Sequence, residues 1–97
     1  MNYVLSLIPL MLMLTLPPQQ TVDAARAEQA YRNNCMICHG QGLEGGFGPA
    51  LLHVGSRKTK EQIAQQIRYG GAIMPAFGSQ LDTRTIDALA EWLSLKK

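Results

Sequence analysis

Cys35-Met36-Ile37-Cys38-His39 is the stretch of this 97-residue chain that decides its fold, because it has the C-x-x-C-H spacing of covalent haem attachment. Each cysteine sulfur can add to one vinyl group of a porphyrin, and the two-residue spacer lets both reach neighbouring vinyl groups from one helical turn. The adjacent histidine then points at the iron. The motif predicts one haem c, covalently attached through Cys35 and Cys38, with His39 as an iron ligand.

Two other uses of the cysteine pair compete with haem attachment. A redox-active disulfide of the thioredoxin type lies between a strand and a helix of an α/β fold, and no such pattern surrounds Cys35 and Cys38. A structural zinc site needs four ligands, and here only His39 and the distant His53 could complete it, without a second paired arm. In either case the protein would be a colourless thiol-redox or metal-binding module.

Met74 is the candidate for the sixth iron ligand. It lies in the turn Gly70-Gly71-Ala72-Ile73-Met74-Pro75, where glycine lets the backbone pass close to a flat cofactor and proline fixes the chain just beyond the sulfur. A neutral thioether favours ferrous iron, so a His/Met pair raises the reduction potential. The rival ligand is His53, which we expect instead at the surface or facing a haem propionate.

The amino-terminal region has the order of a secretory signal peptide. Residues 3–16 contain no charged side chain and are followed by Pro17-Pro18 and by small residues at a cleavage site after Ala24. As a helix these fourteen residues span only about 21 Å of a hydrocarbon core that is roughly 30 Å thick. We therefore predict a signal peptide over residues 1–24, with an uncleaved membrane anchor as the alternative, since Met1-Asn2 adds no positive charge.

Residues 25–97 form the single predicted domain. At 73 residues a protein core alone stabilises a fold only marginally, and a buried haem would supply much of the missing apolar core. This segment carries nine Lys and Arg against six Asp and Glu, and two haem propionates would nearly cancel the excess. The charge therefore suggests no nucleic-acid partner.

The hydrophobic pattern predicts an all-α domain with three helices and two glycine-rich loops. The first helix is expected over residues 25–34, the second from Thr59 to the stop at Gly70-Gly71, and the third from Asp82-Thr83 onward. No segment alternates with the period of a half-buried strand. The apolar faces predicted for these helices comprise Ala27, Ala30 and Tyr31; Ile63, Ala64 and Ile67; and Ile86, Leu89, Ala90 and Leu93.

Four stretches together resemble the class I cytochromes c, and most closely the small single-haem, membrane-associated cytochromes c of Gram-positive bacteria. The similarity covers residues 27–97. The stretches are residues 30–40 (AYRNNCMICHG), 42–51 (GLEGGFGPAL), 67–77 (IRYGGAIMPAF) and 89–94 (LAEWLS).

This resemblance implies that the first and last helices cross, with Tyr31 packed against Leu89 and Trp92. Ala27 stands at the crossing, where many relatives have glycine, so a slightly wider crossing is expected. The resemblance also implies that the Pro49 carbonyl accepts a hydrogen bond from His39, which would fix the imidazole tautomer. The basic run of Arg57, Lys58 and Lys60 is expected to be solvated, with a propionate contact or an acidic docking partner as further hypotheses.

The expected function is that of a monomeric one-electron carrier in a respiratory chain, exported to the periplasm or the outer face of the cytoplasmic membrane. Its expected partners are a quinol-oxidising complex and a terminal oxidase or other reductase. The sequence has no Ser/His/Asp set, phosphate loop or paired carboxylates, so no catalytic residue is predicted. A haem-based gas sensor or weak peroxidase with a labile Met74 bond is the alternative.

Overall fold

The computed structural model describes residues 18–97. The regular secondary structure in this range is entirely helical, with no strand. Helix α1 covers Pro18–Asn34, the short helix α2 Met36–His39, helix α3 Lys60–Tyr69 and helix α4 Thr83–Ser94, with a 3-10 turn at Val54–Ser56 before α3. The predicted all-α class is confirmed. Most of the predicted signal peptide lies outside the described residues, and cleavage after Ala24 stays a prediction.

Helix α1 begins at Pro18, whereas the sequence pattern placed its start near Ala25. The prediction was wrong because Pro18 was taken only as a breaker. Proline is well tolerated in the first turn of a helix, where its missing N–H would have no intrahelical partner. Tertiary contact also supports the added turns, because Arg84 of α4 lies 3.5 Å from the carboxylate of Asp23.

Helix α3 is set by local sequence at both ends, as predicted. The Thr59 hydroxyl accepts from the Gln62 amide, and the Gln62 side chain accepts from the Thr59 amide, which makes a complete capping box. At the other end Gly70 adopts a φ of 73°, a value that favours glycine.

Helix α4 is the centre of the packing, because it contacts both α1 and α3. Its amino terminus is capped by Asp82, whose carboxylate accepts from the Thr85 amide. Burial confirms the predicted apolar faces of α1, α3 and α4, and no polar or charged residue is buried among the described residues. None of the helices within residues 18–97 is both long and apolar enough to cross a membrane.

The contact between α1 and α4 includes an aromatic pair. The rings of Tyr31 and Trp92 lie 5.6 Å apart, centroid to centroid, at 55°, a tilted arrangement that aromatic quadrupoles favour. On α1, Ala27 is fully buried. The predicted Tyr31–Trp92 contact is therefore confirmed, and this packing fixes the end of α1 from which the chain enters Cys35.

Candidate haem site

Cys35 and the α2 turn bring three reactive side chains together. The Cys35 amide donates to the Tyr31 carbonyl, and the Cys35 carbonyl accepts from the amides of Cys38 and His39 at 3.1 and 2.9 Å. One helical turn therefore carries both sulfurs and the imidazole. Cys35 is buried, Cys38 is half-buried, and the two do not form a disulfide.

The state of the Cys35 thiol argues against a thiol-redox centre. Burial, assisted by the neighbouring Cys38, raises the pKa of Cys35 to about 11. Reactive cysteines depend on a lowered pKa, since the thiolate is the nucleophile. Within residues 18–97 no three His, Cys, Asp or Glu side chains are arranged so that together they could hold a metal ion.

His39 is held in one tautomer by the following loop. Its Nδ1 lies 2.8 Å from the Pro49 carbonyl oxygen. A carbonyl can only accept, so Nδ1 carries the proton and the lone pair of the neutral ring is on Nε2. Gly48 permits this position, because a Cβ there would lie 2.9 Å from Cε1 of the imidazole. The hydrogen bond expected from the resemblance is present.

The loop of residues 40–51 is fastened to the α2 turn by its backbone. The Gly45 amide donates to the His39 carbonyl, and the Gly48 amide donates to the Cys38 carbonyl, each at 2.7 Å. Glu44 closes the tip, since its carboxylate accepts from the Gly42 amide at 2.7 Å. Hydrogen bonds from the amides of Glu44 itself and of Gly42 hold the pKa of this carboxyl below its usual range.

Met74 lies in a second loop, residues 70–78, which we call the methionine strap. The Gly71 amide donates to the Met74 carbonyl at 3.0 Å and closes the turn. The strap then returns to α3, where the amides of Phe77 and Gly78 donate to the carbonyls of Ile67 and Arg68. These carbonyls lie in the last turn of α3, where the helix itself provides no donor.

The residues present fit a haem. The free Nε2 of His39 and the half-buried thioether of Met74 are both ligands that iron accepts. Large apolar side chains beside them are uncovered by protein: Phe47 next to Gly48 is 77% exposed, and Ile73 next to Met74 is 74% exposed. These two side chains place exposed apolar surface next in sequence to the loop glycine that packs on His39 and to Met74.

His53 and Met74 are associated with opposite ends of α3. His53 is exposed, and its Nδ1 lies 2.9 Å from the backbone oxygen of Lys97. Lys97 follows shortly after α4. The carboxyl-terminal half of α4 lies beside the start of α3, because Glu91 of α4 pairs with Lys60 at 3.3 Å. The ten residues of α3 separate its start, near His53, from the methionine strap at its other end by about 15 Å.

The basic run of Arg57, Lys58 and Lys60 is partly engaged within the chain. Arg57 Nη2 donates to the Ala50 carbonyl at 3.4 Å, and Lys60 pairs with Glu91. Lys58 is exposed. The propionate contact and the docking partner for this run stay hypotheses.

Sequence reasoning missed two side chains that fasten the site. The Tyr31 hydroxyl donates to the Gly40 carbonyl at 2.6 Å, and the Gln66 amide donates to the Gly70 carbonyl at 2.9 Å. Both bonds run from a helix to the glycine that begins a loop. For Gln66 the available signal was a hydrogen-bonding side chain four residues before the glycine that ends its helix. No local pattern signals the Tyr31–Gly40 bond.

Replacing Tyr31 with phenylalanine is expected to reduce stability by about 1 kcal/mol and to flatten its dependence on alkaline pH. Burial raises the pKa of Tyr31 from 10.0 to about 12. The folded state therefore keeps the phenol proton between these values while the unfolded chain releases it, so this stabilisation is complete below pH 10 and is lost towards pH 12.

Urea unfolding near pH 8 and near pH 11 measures this effect. Tyr69→Phe is the matched control, because the Tyr69 ring is 71% exposed. Tyr69→Phe should lose as much stability between pH 8 and pH 11 as the unmodified chain does. An equal loss in Tyr31→Phe would contradict the assignment of this pH dependence to Tyr31.

The fold and site define a class I cytochrome c with a single, covalently bound c-type haem. The family model described as "Cytochrome C oxidase, cbb3-type, subunit III" matches residues 22–93, and the chain belongs to this family.

Individual relatives agree with this class. The chain is 39% identical over 70 residues to cytochrome c-550 of Bacillus subtilis (strain 168), covering 72% of this chain and 57% of the relative. It is 36% identical over 74 residues to cytochrome c-551 of the same organism, covering 76% and 64%. This chain thus spans less than two thirds of either relative.

A solved structure with the same fold is that of the dihydro-heme d1 dehydrogenase NirN in complex with DHE. The TM-score is 0.67 at 36% identity, over 74% of this chain and 16% of that one. The similarity is therefore to one part of a much longer enzyme.

Proposed function

We propose that this protein carries single electrons in a respiratory chain, through a haem attached to Cys35 and Cys38 and ligated by His39 and Met74. The observation that carries the proposal is the fixed imidazole of His39: the Pro49 carbonyl holds Nδ1–H at 2.8 Å, which leaves Nε2 for iron. A c-type haem supplies reversible one-electron chemistry between ferric and ferrous iron.

The polypeptide's part in this function is to hold two ligands and exclude water. Pro49 orients the histidine and increases its donor strength. The methionine strap presents a soft sulfur that favours the ferrous state. If His39 and Met74 both held the iron, no position for a substrate would remain on it, so we assign no catalytic residue and propose that the protein is not an enzyme.

The partners and location follow from the family rather than from a contact in the structure. The family description names a subunit of a cbb3-type cytochrome c oxidase. We propose redox partners in a respiratory chain, a quinol-oxidising complex as donor and a terminal oxidase or other reductase as acceptor. The protein would act as an exported monomer, with residues 1–24 as signal peptide or anchor, in the periplasm or at the outer face of the cytoplasmic membrane.

Spectra of the haem-loaded protein test this function. The ferric protein is expected to show the weak red absorption band of thioether ligation, and the ferrous protein should bind carbon monoxide slowly because Met74, as an iron ligand, would compete with it. Met74→Ala should abolish the band and bind carbon monoxide rapidly, whereas the control His53→Ala should match the unmodified protein.

Loss of the red band in His53→Ala but not in Met74→Ala would mean that His53, and not Met74, is the second iron ligand. Rapid carbon monoxide binding by the unmodified protein would instead favour a haem-based gas sensor or weak peroxidase. Either outcome contradicts the proposed His/Met carrier.

A further inference from the structure

Four hydrogen bonds hold the methionine strap to α3. Two of these are the backbone bonds from Phe77 and Gly78 to the last turn of the helix, at 2.9 and 3.1 Å. They hold the far side of the strap, beyond Met74. Phe77 is buried, which secures this side further.

The near side of the strap is held at Gly70 by two hydrogen bonds to Gln66, one of which comes from the Gln66 side chain. Its Nε2 donates to the Gly70 carbonyl at 2.9 Å in a partly buried setting. The same residue's backbone carbonyl accepts from the Gly70 amide at 2.8 Å, so Gln66 binds both polar backbone groups of the residue where the strap begins. Gly71 also lies under this amide, since a Cβ there would be 3.2 Å from Nε2.

We propose that Gln66 is a positioning residue for Met74: its side-chain amide fixes the start of the methionine strap and thereby holds the thioether in place for iron. This inference rests on the proposed function, because it requires Met74 to be a ligand. The bonds that carry this role join Gln66 to Gly70, so Gln66 acts through the backbone of the strap.

The chemistry of the amide explains why glutamine suits this position. Gly70 presents a carbonyl, so the side chain must donate, and a carboxylate cannot. Negative charge is also unfavourable at the carboxyl end of α3. The residues of the strap and its continuation, 70–81, contain no ionisable side chain, and Arg68 and Tyr69 are the ionisable residues next to Gln66 in the last turn of the helix.

The test compares Gln66→Leu and Gln66→Glu with the control Gln65→Glu in the haem-loaded protein. Gln65 is exposed on the same helix, so its substitution introduces the same charge without removing the donor. The readouts are the red band of the ferric protein and the rate at which added imidazole displaces the sixth ligand. Both Gln66 variants should exchange roughly tenfold faster than the unmodified protein, the effect of about one lost hydrogen bond, and Gln65→Glu should not.

Gln66→Glu also supplies a rescue. At a pH low enough to protonate the introduced carboxyl, the side chain regains a donor, and its exchange rate should return towards that of Gln65→Glu at the same pH. A purely structural defect would not be rescued in this way, and this variant keeps the test valid if Gln66→Leu fails to fold.

Two failures can be separated. Equal exchange rates in the Gln66 and Gln65 variants, with the red band present in the unmodified protein, would overturn the positioning role and leave the proposed function standing. Absence of the band from the unmodified protein would overturn both.

Discussion

Gly70→Ala is expected to remove the proposed bond between Met74 and iron while leaving the haem covalently attached. Gly70 has φ 73° and ψ −161°, a conformation essentially restricted to glycine, and forcing another residue into it costs about 1–3 kcal/mol. A Cβ at this position would also lie 2.5 Å from the Met74 carbonyl oxygen and 2.8 Å from the Pro75 carbonyl carbon. Both are backbone atoms, so the only relief is to move the strap that carries the ligand.

The expected result is loss of the red ferric band, a lower reduction potential and rapid carbon monoxide binding, as for Met74→Ala. Gly42→Ala is the matched control, since its φ is not positive and its Cβ would meet only the Glu44 carboxylate at 3.4 Å. A Gly70→Ala protein that keeps the red band and potential would show that the strap can move without releasing the sulfur.

Much of the site could be predicted because its determinants are close together in the sequence. The haem-attachment turn consists of five consecutive residues. The two ends of α3 are set by residues at those ends, the capping box of Thr59 and Gln62 at the start and Gly70 at the finish. The buried faces follow from helical periodicity, so the burial of Ile63 and Ile67 and of the α4 stripe was predictable.

The missed features depend on contacts between distant residues or on unusual backbone. The Tyr31–Gly40 bond spans nine residues and two helices, and no local pattern specifies it. Leu43 is buried at a φ of 67°, which a non-glycine residue rarely adopts and no propensity predicts. The start of α1 was missed because proline has two roles. It breaks a helix in the interior, as was assumed for Pro18, but it also suits the first position of a helix, where Pro18 lies.

Leu89→Ala should cause the largest loss of global stability, about 2–5 kcal/mol. Leu89 is fully buried in α4, the helix that contacts both α1 and α3, so truncation leaves a cavity in the core that these helices share. Because a small domain has only a few kcal/mol to lose, this change should place the protein near its unfolding threshold. The urea midpoint, followed by far-ultraviolet circular dichroism of the haem-loaded protein, should fall by about 1 M or more.

Leu95→Ala is the control for this change, because it removes the same atoms from a side chain that is 66% exposed just beyond α4. Its effect should stay within about 0.5 kcal/mol. The red ferric band should disappear at the lower urea concentration together with the helical signal in Leu89→Ala, since α3 anchors the methionine strap and depends on α4 for its packing. Equal midpoints for the two variants would mean that the covalently held haem, rather than the contact of α4 with its neighbours, determines the stability of this fold.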